Sequence, residues 1–183
     1  MFDVRDVVVV FNACFERSCR TKLESGAQEP LYQPAAQAGD CHIIYSTQDY
    51  FASALHEISH WCIAGEKRRL LMDYGYWYEP DGRSAEQQAE FERVEVKPQA
   101  LEWIFAQCCG APFRISADNL SGDGAGASDA FKAAVVEAAR GYVANGLPAR
   151  AAQFAQALGR FYRGDDWTPE QLSSSEFALS CLC

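Results

Sequence analysis

The chain has 183 residues, 49% of them apolar, with ordinary glycine and proline content, so it suits one packed domain spanning 1–183 and excludes fibrous and disordered classes. A formal net charge of -9 repels phosphate backbones and argues against direct nucleic-acid binding. The longest apolar run, residues 7–11, falls far short of the roughly 20 residues that cross a bilayer, so no transmembrane helix is expected.

The first six residues lack a basic leader and a small-residue cleavage site, so the expected location is the cytoplasm. There the eight cysteines default to free thiols. Cys14 with Cys19, or Cys181 with Cys183, lacks the paired spacing of a zinc ribbon. Val7, Val8, Phe11 and Phe15 recur at helical spacing and predict a helix over 4–19. Prolines at 30 and 34 fix an extended or turning segment, and the β-branched run 41–46 predicts a strand, so a small sheet is expected here.

A helix over 51–64 follows, with Ser46, Thr47 or Asp49 available as its cap and Gly65 as its left-handed stop. Lys67, Arg68 and Arg69 sit where cations complement a helix C-terminus. Tyr74, Tyr76, Trp77 and Tyr78 crowd a segment closed by Pro80, Asp81 and Gly82, an unusual composition for a connector and one suited to walling a pocket. Helical pattern resumes over 84–108, where Pro98 is expected to kink or divide the helix near Val94. A glycine-rich loop over 121–126 precedes a helix over 128–144 capped by Ser128 and stopped at Asn145-Gly146. Another helix starts at Pro148 and runs to about 162. A short turn at 168–170 leads into a serine-rich end, expected as a poorly ordered tail over 171–183.

His56-Glu57-Ile58-Ser59-His60 fits H-E-x-x-H, whose four-residue step places both imidazoles on one helical face, about 6 Å apart at Cβ, so that both reach one divalent ion. Two of only three histidines in the chain fall in this motif, and Ala54, Leu55, Ile58 and Trp61 give the helix an apolar side. A carboxylate from a second helix is the usual third ligand, and Glu92, Glu95 and Glu102 are the candidates. Glu95, between Val94 and Val96 and just ahead of Pro98, is the choice. Glu92 is placed as a supporting partner one turn earlier, Glu102 as a solvated helix residue and His42 as an ordinary polar residue at a strand start. Glu57 in a peptidase would activate metal-bound water as general base. The same ligand set also describes an oxygen-activating iron site, so the motif alone leaves both open.

More of the chain carries a likeness. The runs 51–65 around the motif, 73–78 (Asp73-Tyr74-Gly75-Tyr76-Trp77-Tyr78) and 94–101 (Val94-Glu95-Val96-Lys97-Pro98-Gln99-Ala100-Leu101) resemble the bacterial elongation factor P hydroxylase family. The likeness continues through 29–30, 80–83, 118–120 and 142–146. It implies an oxygen-dependent monooxygenase that hydroxylates the β-lysylated lysine of elongation factor P, the last step of that modification, with a metal on His56, His60 and Glu95. The Ser180-Cys181-Leu182-Cys183 tail departs from the family's pattern.

On this reading Fe(II) is the expected metal and molecular oxygen the co-substrate, with Glu57 orienting substrate or relaying a proton. A lysyl-lysine adduct is cationic, so Glu57, Asp118 and Asp123 are candidates to attract it, and Tyr76, Trp77 and Tyr78 to line its aliphatic stem or stack on its charged end. The separated His-x-Asp and later histidine of jelly-roll 2-oxoglutarate oxygenases are absent. A zinc peptidase is the runner-up and a structural zinc protein the third reading. The expected fold is α+β, predominantly helical, with a small sheet beside the motif helix in a zincin-like arrangement.

Overall fold

A computed structural model of the chain describes residues 2–75, 83–116 and 127–182. Helix α1 (Val4–Phe15) opens the chain, capped by the Asp3 side chain, and buries Val4, Val7, Val10, Phe11 and Phe15 along one stripe. It ends a turn earlier than its apolar spacing predicts. Cys19 N–H closes a turn onto the Phe15 carbonyl, and Arg20, with a left-handed φ of 48°, swings the chain into a strand.

That strand, β1 (Thr21–Ala27), is invisible in the composition of Thr-Lys-Leu-Glu-Ser-Gly-Ala. It forms because Asn12 of α1 holds the Leu23 backbone through both its amide groups and because β3 (His42–Thr47) pairs with it in parallel. β2 (Leu31–Gln33) runs antiparallel on the other edge of β3, giving the order β1-β3-β2. Leu23, Ile44 and Tyr32 lie side by side across the three strands, and all are buried against the helices. Ser46, two residues on from Ile44, is buried on that same face, as the pleat requires.

Helix α2 (Phe51–Ile63) packs on this sheet. Its N-cap is Tyr50, without a side-chain cap; instead Ser53 Oγ accepts from Thr47 N–H at 3.0 Å and ties the helix start to the end of β3. The helix stops on Ala64 in extended conformation rather than on a left-handed Gly65. Its last carbonyls are taken by Arg150, which donates to Trp61, Cys62 and Ala64, and by Arg69, which donates to Ala64. Trp61 sends its indole away from the motif into a cluster with Phe11, Phe15 and Phe154, at 5.2 and 4.8 Å from the first two.

Helix α3 (Ala85–Cys109) stays one element of 25 residues with Pro98 inside it, opened by a Ser84–Gln87 capping box and closed on left-handed Gly110. From Pro98 to Ala106 every residue is buried, so α3 is the central helix of the molecule and α2, α4 and α5 pack around it. Helices α4 (Asp129–Asn145), capped by Ser128, and α5 (Ala149–Arg163), entered through Pro148, complete the bundle. The fold is therefore α+β and predominantly helical, with the small sheet beside the motif helix.

Where composition suggests a poorly ordered tail from 171, the chain is anchored. Phe177 is fully buried with its ring 5.0 Å from Trp103, its carbonyl accepts from Arg140, and Leu172 is buried nearby. Trp167 leads into this segment by crossing Gly159 of α5 so closely that a methyl group there would lie 1.7 Å from the indole. Serine content hides these anchors because each is a single aromatic or aliphatic residue. Among the described residues no helix is long and apolar enough to cross a membrane.

Candidate metal centre

Because α2 turns its Trp61 side to the aromatic core, the opposite stripe, carrying His56 and His60, faces α3. There Glu95 meets it, with only 2% of its side chain exposed. The His56 and His60 Nε2 atoms stand 3.0 Å apart. Glu95 Oε2 lies 3.4 Å from His56 Nε2, and Glu95 Oε1 lies 3.3 Å from His60 Nε2.

Two donor atoms each about 2.1 Å from one ion stand about 3.0 Å apart at an octahedral right angle and about 3.4 Å apart at a tetrahedral one. The three observed separations span that interval, so these donors fit the edges of one coordination shell. They are also the one group of three or more histidine, cysteine or acidic side chains within ligand distance of each other among the described residues. Two imidazoles and one carboxylate with further positions open is a donor set for zinc or non-haem iron, whereas a closed structural zinc site uses four thiolate or imidazole ligands.

Glu102, read from sequence as solvated, belongs here. It is buried, and its Oε2 lies 2.9 Å from His56 Nδ1; with Glu102 as the acceptor, the imidazole is oriented with Nε2 toward Glu95 and His60. Glu95 and Glu102 are seven residues apart, two turns of α3, and so share a face. That spacing, with Glu102 inside the apolar run from Ala100 to Ala106, was the available signal. Glu92 is not at the centre: it accepts from the backbone N–H and the hydroxyl of Ser128 at 3.1 and 2.6 Å and so fixes the start of α4. His42 also lies apart, accepting from Ala35 N–H through Nδ1.

Burial pulls the His56 imidazole down, but the Glu102 hydrogen bond and the carboxylates of Glu95, Glu102 and Glu57 outweigh it and push it up to about 10. Burial raises the Glu102 carboxyl above its ordinary value against the opposing pull of His56. Glu57, half-buried on α2 beside the ligands, is likewise raised by burial, with His56 and His60 pulling the other way. Tyr74 completes one wall, its ring near-parallel to His60 at 14° and 6.4 Å between centroids. Tyr76, Trp77, Tyr78, Asp118 and Asp123 lie outside the described residues.

Fold and site together describe an α+β protein in which two histidines and one carboxylate converge between α2 and α3, a donor set that could hold a metal ion. The family model described as elongation factor P hydroxylase matches residues 10–172. A Haemophilus influenzae protein named elongation factor P lysine hydroxylase is 46% identical over 179 residues, covering 98% of each chain. The chain belongs to the elongation factor P hydroxylase family, a family of enzymes.

Proposed function

We propose that this protein is a non-haem iron monooxygenase that hydroxylates the β-lysylated lysine of translation elongation factor P in the cytoplasm, with molecular oxygen as co-substrate and elongation factor P as its protein partner. The observation that carries the reading is the facial set of His56, His60 and Glu95 donors, 3.0–3.4 Å apart, in a chain of this family. Iron(II) held there supplies oxygen activation for insertion into a C–H bond, with electrons from an external reductant.

The chain's own residues do the rest. His56 and His60 offer Nε2, Glu95 offers a carboxylate oxygen, and Glu102 holds the His56 tautomer in which Nε2 is free to bind. Glu57, with its proton affinity raised by burial, is suited to relaying a proton beside the centre. Glu57, a carboxyl outside the proposed ligand set, is the group beside the centre suited to meeting the cationic end of a lysyl-lysine side chain. Tyr76, Trp77 and Tyr78 are assigned to its aliphatic stem and Asp118 to an amino group.

The test is to incubate iron-loaded protein, β-lysylated elongation factor P, a reductant and air, then weigh the product by intact mass spectrometry. A gain of one oxygen atom that disappears in His56→Ala and Glu95→Ala is expected, and in Glu57→Gln the rate falls about 10²- to 10⁴-fold with iron retained. An unchanged mass with verified iron and substrate sinks the reading and turns attention to zinc-loaded peptidase assays.

A further inference from the structure

The two ligand histidines are held differently. His56 has Glu102 at Nδ1, whereas the polar contacts of His60 run through Nε2, to His56 and Glu95, and no hydrogen bond fixes its Nδ1 among the described residues. What lies against His60 is the ring of Tyr74. That ring is itself stacked on Tyr32 at 4.3 Å and 16°, and Tyr32 in turn on His42 at 6.1 Å and 11°. Four near-parallel rings therefore form a column from strand β3, across β2, to the metal ligand.

The chain goes to some length to put Tyr74 there. Asp73 and Tyr74 both adopt left-handed backbone, with φ of 46° and 58°, a conformation that side chains other than glycine's rarely take and that here precedes Gly75 at 71°. The conformation is clamped from three directions. Asp73 accepts from the Tyr32 backbone N–H at 2.7 Å, Arg68 donates to the Tyr74 carbonyl at 3.1 Å, and the Tyr32 hydroxyl donates to the Arg69 carbonyl at 2.8 Å. The Tyr74 side chain is 4% exposed, and its hydroxyl, although buried, makes no hydrogen bond. A phenol buried for its hydroxyl would have a partner; this one is placed by its face.

We infer that Tyr74 is a positioning residue for the metal centre: its ring, fixed by the Asp73 clamp and backed by Tyr32, sets the plane of the His60 imidazole as Glu102 sets that of His56. The inference rests on the metal-centre reading above and not on the identity of the substrate. A near-parallel ring centred 6.4 Å away borders the imidazole and limits its rotation from that side, while Nε2 remains the atom turned to His56 and Glu95.

The experiment is titration of the full chain with cobalt(II) against a competing chelator, reading affinity and the visible spectrum of the bound ion. Tyr74→Leu, which keeps apolar bulk but removes the ring, is expected to weaken binding about tenfold, the lower range for a residue that orients a ligand, and to shift the spectrum. Tyr74→Phe restores both, since the hydroxyl is not used. Asp73→Ala, which releases the clamp and leaves the core intact, weakens binding in the same direction by a smaller factor and decides the matter if Tyr74→Leu does not fold.

Native affinity and spectrum in folded Tyr74→Leu or in Asp73→Ala overturn the inference, as does Tyr74→Phe binding as weakly as Tyr74→Leu. If the native chain takes up no cobalt, or His60→Ala binds it as tightly, the centre itself is refuted along with the inference. The hydroxylase assay above is separate, so its failure alone leaves this result standing.

Discussion

Helices α2 and α3 meet along one face, and each brings two groups that meet at the centre, yet they do so by different means. On α2 the groups are His56 and His60, four residues apart, in a helix of 13 residues whose opposite side is filled by Trp61 and its aromatic neighbours. Local geometry alone makes them converge. On α3 they are Glu95 and Glu102, seven apart in a helix of 25 residues that is buried almost all round from Pro98 onward, so that burial alone does not distinguish the face that meets α2. The lesson is that a ligand pair can be read from one helix, while the carboxylates that complete and orient it depend on how a second helix is rotated against the first.

This difference sets up tests in descending size. On the proposed ligand set, Glu95→Ala removes a direct ligand and is expected to abolish tight binding of a divalent ion, whereas Glu102→Gln removes an orienting acceptor and costs about 10- to 100-fold in affinity. Chelator competition on the two variants measures both. Equal losses would mean that the two carboxylates share one role, and a larger loss for Glu102 would exchange their assignments.

A second test uses pH. In the metal-free protein His56 is raised to about 10, and the Glu57 and Glu102 carboxyls are raised as well, so the folded chain binds protons that the unfolded chain has released. The His56 contribution is complete below its ordinary value of 6.5 and is lost as pH rises through about 10, with the carboxyl contributions fading in the same direction from lower pH. Metal binding needs deprotonated imidazoles, so stabilisation by the ion grows over that interval. Thermal melts across it should show the chelated protein losing Tm while the gap to the metal-loaded protein widens. A gap independent of pH would mean that the α2 histidines do not exchange a proton for the ion.

The smallest expected effect separates Glu92 from its neighbours on α3. Ser128→Ala removes the cap of α4 that Glu92 braces and should cost about 1 kcal/mol in urea unfolding, with metal affinity untouched. A change in affinity would return Glu92 to the centre.

Much of the architecture was legible in the residues. The motif helix, α3 with its Ser84 start, the Ser128 cap and the Pro148 entry all announce themselves through local rules, and Glu95 stands out between two valines just before Pro98. What escaped reading depends on distant partners. Thr21–Ala27 becomes a strand because Asn12 and β3 hold its backbone, not because its side chains favour one. The apolar run around Glu102 marks it as buried, but its role at His56 appears only when α2 is brought to it, and the end of α2 is closed by Arg150, more than eighty positions away, rather than by Gly65. Tyr74 was visible as one of a crowd of aromatics, but its left-handed backbone and its place against His60 are tertiary facts.

The Glu95 carboxylate sits against histidines from the far side of a long stretch of chain, and this has a consequence in polymer terms. An ion held by His60 and Glu95, as proposed, would tie together two points of the chain that unfolding lets drift apart, closing a ring of backbone through a single atom. Unfolding that opens this ring has to break the ion's bonds to those donors, so free ion above its dissociation constant favours the folded chain by mass action. On the proposed metal reading the centre is a removable staple as well as a place for chemistry, and the metal-loaded chain is expected to melt higher than the chelated one.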